Sequence, residues 1–406
     1  MARFGPAAGS SPDGGRSGIV DAVQILTSLG TPEGRADPYP HYAALHEIGE
    51  VIDLGSGEVL VVGYDAISAV LRDPGFAVSD ESNFDRDLPG WRENPVFVQG
   101  ADWILNLNPP RHLRIRSLIA RAFTARRIAG LEPAIAAIAD DLIDAMADKA
   151  SDGSAVEFMH DFAYLLPVTV ICELIGIPEP DREGFRPLAR DLAGVFELND
   201  LQRLPAINAA AAELLAYFAE LAGQRRAEPR DDLLSDLLAV AGSGDGRLAD
   251  AELLHNLTLL LVAGFETTTN LLGSGLGVRD GSVPPAAFVE EVLRFDSPVQ
   301  LTSRTGYDTK LAGVPMSGRT NVVTVLGAGN RDPRRFTEPD RFDPLRAEGG
   351  PLSFGGGALF CIGAALARLE GAVAFPRFPA LAAAGEPTRR DALLLRGFDT
   401  LPVSLQ

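Results

Sequence analysis

Apolar positions recur at i, i+3 and i+4 through most of the chain, and only two stretches alternate with the period of a strand. Residues 38–48 read as a short helix. Residues 50–54 and 58–62 are β-branched runs joined by Gly55-Ser56-Gly57, which predicts a hairpin. Residues 64–71 are helical and stop before Pro74. Residues 76–105 show little periodicity yet carry Phe84, Trp91, Phe97 and Trp103; a long aromatic loop in a compact protein usually serves function. From Arg111 to about residue 240 the spacing is helical, with breaks at Pro178, Pro180 and Pro229. Residues 250–273 predict another helix, apolar on several faces through Leu259, Leu260 and Val262 and therefore buried. A short helix follows at 288–295, strand-like alternation at 299–326, a loop at 327–360 and a helix at 362–374. The fold class is α+β, predominantly helical, with a small β region near the N-terminus. Residues 1–36 read as a mobile tail and lead-in, and 37–406 as one domain.

The formal net charge of -19 disfavours nucleic acid and anionic membrane as partners. With only Cys172 and Cys361 there is no disulfide framework, and a reducing cytoplasm is the natural compartment; Cys172 reads as a core residue. The longest apolar run, 257–264, ends at Glu266 and is too short to cross a bilayer. The N-terminal run has no apolar stretch of signal-peptide length. Neither a Gly-x-Gly-x-x-Gly after a strand nor a phosphate-cradling Gly-rich loop occurs, so the chain has no evident flavin or NAD domain of its own.

The segment Phe354-Gly355-Gly356-Gly357-Ala358-Leu359-Phe360-Cys361-Ile362-Gly363 leads into a helix. Glycines let backbone approach a flat ligand closely, and a thiolate at a helix N-terminus is favoured by the dipole. Taken singly, such a cysteine reads more often as a buried structural thiol. The full string resembles the haem-binding loop of the cytochrome P450 family, Phe-x-x-Gly-x-x-x-Cys-x-Gly, with Phe354, Gly357, Cys361 and Gly363 in register. The resemblance makes Cys361 the axial iron ligand. The family's usual His or Arg two residues earlier is Leu359 here, which removes one propionate contact.

Three further motifs occur in the family's order. Ala263-Gly264-Phe265-Glu266-Thr267-Thr268 is similar to its oxygen-activation signature. Gly264 would leave room for dioxygen, Thr267 would hydrogen-bond the oxygen being activated, and Glu266 would relay protons from water. Taken alone, the acid could equally cap a helix. Glu291-Val292-Leu293-Arg294 is similar to Glu-x-x-Arg, whose third member would be Arg341, a structural triad fixing the loop before Cys361. His112 and Arg116, at i and i+4, and Arg304 match propionate-binding positions. Trp91, Phe97, Trp103, Leu260, Val299 and Phe398 would line a largely apolar substrate pocket.

The resemblance implies haem b as cofactor and a monooxygenase that hydroxylates or epoxidises an apolar small molecule with O2, such as a polyketide or macrolide in antibiotic biosynthesis. Electrons from NAD(P)H would arrive through a ferredoxin reductase and a ferredoxin, docking on Arg114, Arg121, Arg126 and Arg127. The protein would be a cytoplasmic monomer. A rival is a P450-like haem protein that no longer activates oxygen and serves as a binding module. Too few positions separate Thr267 from Glu291 for the helix the family places there. Either the chain has a gap near 277–282, wider than the 3.80 Å between consecutive Cα atoms, or a deletion leaves Leu271, Leu272 and Leu276 partly exposed or under a rearranged loop.

Overall fold

The computed structural model describes residues 13–405 apart from 56, 198–200, 242–248, 279–282 and 317. The chain divides into two compact units, each gathered from separate stretches. The first takes residues 1–78, 290–361 and 389–396; the second takes 79–289, 362–388 and 397–406.

The first unit is built on a five-stranded sheet in the order Val51–Gly55, Glu58–Val61, Thr320–Thr324, Thr302–Gly306, Phe76–Ala77. The expected hairpin forms its edge, Val51 pairing with Val61. Glu58–Val61 runs parallel to Thr320–Thr324, while the other pairs are antiparallel. Thr320–Thr324 alternates buried and half-buried positions, the period-2 signature of a strand with one face inward. Val59, Val61 and Val322 pack there with Ile67 and Leu71 of the helix Tyr64–Arg72.

A second cluster joins Tyr42, Leu45, Leu60 and Val62 to Ala22, Leu26 and Leu29. Those last three belong to the helix Asp13–Leu29, so much of the expected lead-in is ordered core. Spacing of four and three places them on one stripe, which gains by burial against Tyr39–Ile48. Residues 1–12 lie outside the described residues.

The second unit is helical. The long helix Asp250–Leu276 packs on Leu165–Ile175, on Leu204–Ala227 and on Glu179–Ala193. It runs three residues past its expected end because its glycines admit close neighbours. A Cβ at Gly273 would lie 2.7 Å from Met159 Sδ, and one at Gly275 only 2.2 Å from the Phe375 ring. Leu271 and Leu272 are consequently buried rather than exposed, and Leu276 is half-buried. Most of the span where a gap was expected, 279–282, lies outside the described residues.

The stretch 76–105, expected to be a loop, is a string of short elements. They include the helix Glu81–Asp87 with an Asp80/Asn83 capping box, the 3-10 turn Trp91–Glu93 and the helix Pro95–Asp102. Pieces of three to eight residues are too short to show a period. The helix Leu204–Ala227 is long and apolar enough to cross a bilayer. Here one face of it is buried, with Arg225 held against Asp232 at 2.5 Å and Tyr217 Oη donating to Asp181 at 2.6 Å.

Candidate active site

In the first unit the Gly-rich segment is a loop closed on itself. Cys361 N–H donates to Phe354 O at 2.9 Å, and Gly355 N–H to Leu352 O at 2.8 Å. Gly357 has a φ of 63°, and a Cβ there would fall 2.5 Å from Leu71 O, so only glycine lets the loop lie this close to the helix Tyr64–Arg72. Cys361 is exposed and in no disulfide. Leu359 ends the 3-10 turn Gly357–Leu359, and Gly363 is the N-cap of the helix Ala364–Ala374.

Arg304, on the strand Thr302–Gly306, is buried. Its Nη1 donates to Thr302 Oγ1 at 2.9 Å and to Ser303 O at 2.7 Å. No carboxylate among the described residues pairs with it, and burial pulls its pKa down to about 10. A buried guanidinium without a counter-charge is a standing cost.

The predicted triad is corrected in its third member. Arg294 grips Glu291 with two bonds, 2.8 and 2.7 Å, and both side chains are buried. Arg341 supplies only its carbonyl to Arg294, at 3.0 Å; its exposed side chain turns to Glu338 at 2.9 Å. Arg346 takes its place: it reaches Glu291 Oε1 at 3.4 Å and donates to Thr337 O at 2.7 Å and Arg341 O at 3.0 Å. The chain turns between 341 and 346, which points Arg341 outward and brings Arg346 beneath the helix Pro285–Phe295.

In the second unit, every residue of the long helix from His255 to Gly275 is buried except Ala263, Gly264 and Thr267. With Leu260 they make a stripe at i, i+3, i+4 and i+7, one face of a helix. Thr267 Oγ1 donates to Ala263 O at 3.1 Å, the back-bonding open to a mid-helix threonine. Glu266, about 100° further round, is buried behind the stripe. A Cβ at Gly264 would meet the Ile171 side chain at 3.0 Å, so the bare backbone also allows close packing on the helix Leu165–Ile175.

His112 is buried on the helix Arg111–Ala122, and neither ring nitrogen has a hydrogen-bond partner. Burial first, then the charge of half-buried Arg116, holds its pKa below the usual imidazole range.

The aromatic pocket residues divide. Trp91 is a local strut: its ring meets Phe84 edge-on at 5.5 Å, Nε1 donates to Asp85 at 3.0 Å, and Arg92 covers it. Trp103 is buried beside Phe196, its indole N–H unpartnered. Phe97 and Val299 are half-buried; Phe398 is buried, its ring 3.4 Å from where a Gly273 Cβ would stand.

The arginines of the expected cationic face divide into two pairs. Arg114 is paired with Glu252 at 2.6 Å, and Arg127 with Asp236 at 2.6 Å and Asp231 at 3.1 Å. Arg121 and Arg126 remain exposed. Sequence reasoning missed Arg346, Asn330 and Glu370. The last is a fully buried acid whose Oε2 has no partner, and burial pushes its carboxyl well above the usual range. The sequence signal for Arg346 was its place after Phe342-Asp343-Pro344; nothing marked the other two.

Residues 286–378 match the family model for cytochrome P450. The chain is 36% identical to 6-deoxyerythronolide B hydroxylase of Saccharopolyspora erythraea, across 94% of this chain and all of that one. It is 38% identical to the cytochrome P450 monooxygenase PikC of Streptomyces venezuelae, across 91% of each. This chain is a cytochrome P450. Among solved structures, P450BioI bound to an acyl carrier protein matches it with a TM-score of 0.82 at 31% identity, covering 92% of this chain and 100% of that one. The P450 fold, predominantly helical with small sheets, is therefore the fold of this chain.

As a P450 it is a monooxygenase with haem b as cofactor, using O2, a substrate and electrons from NAD(P)H passed on by redox partners. The residues present fit that group. The unpartnered His112 nitrogens and the uncompensated Arg304 guanidinium are donors suited to carboxylates, and Cys361 offers a soft ligand for iron. The reading of a haem protein that no longer activates oxygen is not favoured, since the relatives are named hydroxylases and monooxygenases.

Proposed function

We propose that Cys361 ligates the haem iron, that His112, Arg116 and Arg304 hold the propionates, and that the stripe Leu260, Ala263, Gly264 and Thr267 faces the reacting oxygen and the substrate. The observation that carries this reading is the stripe itself: three half-buried positions on a helix that is otherwise buried from 255 to 275. Haem, when bound, supplies the iron at which dioxygen is activated and its oxygen transferred to carbon.

The chain's own residues would do the rest. Cys361 donates electron density as a thiolate. Thr267 turns its hydroxyl from Ala263 O toward the stripe and holds a proton at Oγ1. Glu266, buried behind it, passes protons forward from water. Leu260, Trp103 and Phe398 exclude water and orient an apolar substrate. Leu359 makes no polar contact with a propionate, so those groups rely on the other three donors.

We propose a polyketide or macrolide substrate, with a terpenoid or steroid second. One relative hydroxylates 6-deoxyerythronolide B and another hydroxylates vitamin D3. The electron donor would be a ferredoxin with its reductase, and the protein a cytoplasmic monomer.

The test is spectroscopic. The reduced, carbon monoxide-bound protein should show the red-shifted Soret band of thiolate ligation, and Cys361→Ser should abolish it. An unchanged band in that variant would reject Cys361 as the ligand. A panel of macrolactones and steroids, scored by the low-to-high spin shift, tests the substrate class; shifts with polar compounds alone would reject it.

A further inference from the structure

We propose that Asn330 and Ser353 are positioning residues that set the height of the cysteine loop, a task the family resemblance does not assign. The inference rests on Cys361 as the iron ligand.

Asn330 is fully buried in the first unit, just after the short helix Leu326–Gly329. Its amide is used at both ends. Oδ1 accepts from Leu352 N–H at 2.7 Å, and Nδ2 donates to Ser353 Oγ at 2.9 Å. Ser353 Oγ in turn donates to Leu293 O at 2.6 Å and meets Ser297 Oγ at 2.8 Å. The carbonyl of Asn330 accepts from Arg294 Nη1 at 3.0 Å, the arginine that also grips Glu291.

One residue therefore ties the buried Glu291–Arg294 pair, through its main-chain carbonyl, to the two residues that precede Phe354, through its side-chain amide. From there the bond from Cys361 N–H to Phe354 O links the start of the loop to the cysteine. The far side of the loop is bounded by Leu71, against which Gly356 and Gly357 are pressed. The loop is thus held at its start by Asn330 and in its middle by close backbone packing. Loss of the Asn330 amide would leave the Leu352 N–H buried and unpaired, which the loop can relieve only by shifting. A shift of the loop start moves the Cys361 backbone with it and weakens the hold on a thiolate.

The experiment uses the full-length, haem-loaded protein with Asn330→Ala, Ser353→Ala, Ser353→Thr and the control Cys361→Ser. Three readings are taken: haem content, thermal midpoint, and the ratio of thiolate-type to thiol-type Soret band in the reduced carbon monoxide complex. Asn330→Ala is expected to lower that ratio about tenfold at equal haem content. Ser353→Ala should lower it less, Ser353→Thr should keep it, and Asn330→Ala combined with Ser353→Ala should fall no further than Asn330→Ala alone, because both act through one set of contacts. A lower midpoint with an unchanged ratio would overturn the proposal and leave Asn330 a packing residue. Should Asn330→Ala fail to fold, an unchanged ratio in Ser353→Ala decides against it equally. A thiolate band that survives in Cys361→Ser would instead reject the ligand assignment.

Discussion

Thr267 and His112 are both residues whose groups lie idle or turned inward. The Thr267 hydroxyl donates to Ala263 O at 3.1 Å; in the role proposed for it, it would be needed only once oxygen is being activated. Thr267→Ala is therefore expected to bind substrate and consume reductant at near wild-type rates while releasing mainly hydrogen peroxide. Product per electron, measured with surrogate redox partners, should fall roughly tenfold or more; normal coupling would remove Thr267 from the role. For His112, burial depresses the pKa below 6.5. Above that pH the ring is neutral in folded and unfolded chains and contributes nothing to the slope. Below it the unfolded chain takes up a proton that the folded, haem-depleted chain refuses, so stability falls as pH falls. Carboxylates seated at the ring would favour the charged form and reverse the trend. Thermal midpoints across pH 5–7.5 should slope in the haem-depleted protein, flatten in His112→Gln, and flatten or invert in the loaded protein. An identical slope in His112→Gln would mean that another group causes it.

At the level of elements, the helix Pro285–Phe295 and the irregular segment 337–346 are joined through one buried acid. Glu291 receives Arg294, Arg346 and the Asp343 N–H at 2.8 Å, and three positive or polar donors around one carboxylate make a mutually satisfied network. Arg346→Met should lower unfolding free energy by roughly 1.5–3 kcal/mol, because it removes a charged partner from the buried Glu291 carboxylate. Arg341→Met should cost no more than about 0.5–1 kcal/mol, as its ion pairs are exposed. Denaturant titration of the two variants separates them, and equal losses would contradict the assignment of Arg346. Short elements explain the other difference at this scale. The pieces between Glu81 and Asp102 are stabilised by a capping box, a proline at the helix start and aromatic packing, devices that periodicity does not register.

For the molecule as a whole, the charge of -19 makes an exposed cationic spot a directional feature in a repulsive field. Arg121 and Arg126 are such a spot on the second unit, while Arg114 and Arg127 are held by internal acids. Arg121→Glu with Arg126→Glu should raise the apparent KM for an acidic ferredoxin by roughly threefold or more at low salt, an effect that shrinks as ionic strength rises. The spectrum and thermal midpoint should stay as in the parent. An unchanged KM at low salt would place the electron donor elsewhere.

Local patterns determined a large share of this protein. The string from Phe354 to Gly363, the helical period around Glu266-Thr267 and the Glu291/Arg294 spacing are short-range features. They name the family, the cofactor and most of the elements because three to ten adjacent residues suffice to write them. Tertiary structure alone decided what depends on distant partners. It put Arg346 rather than Arg341 on Glu291, since a turn of the chain, not spacing, sets which arginine points inward. It assigned the bare face of Gly264 to Ile171 and those of Gly273 and Gly275 to Met159 and Phe375, because a glycine's neighbour lies far away in sequence. It also drew Ala22, Leu26 and Leu29 into the core, and brought Asn330 onto the cysteine loop across 22 positions. An amide's two bonds leave no mark on the local sequence, and only the folded chain brings donor and acceptor together.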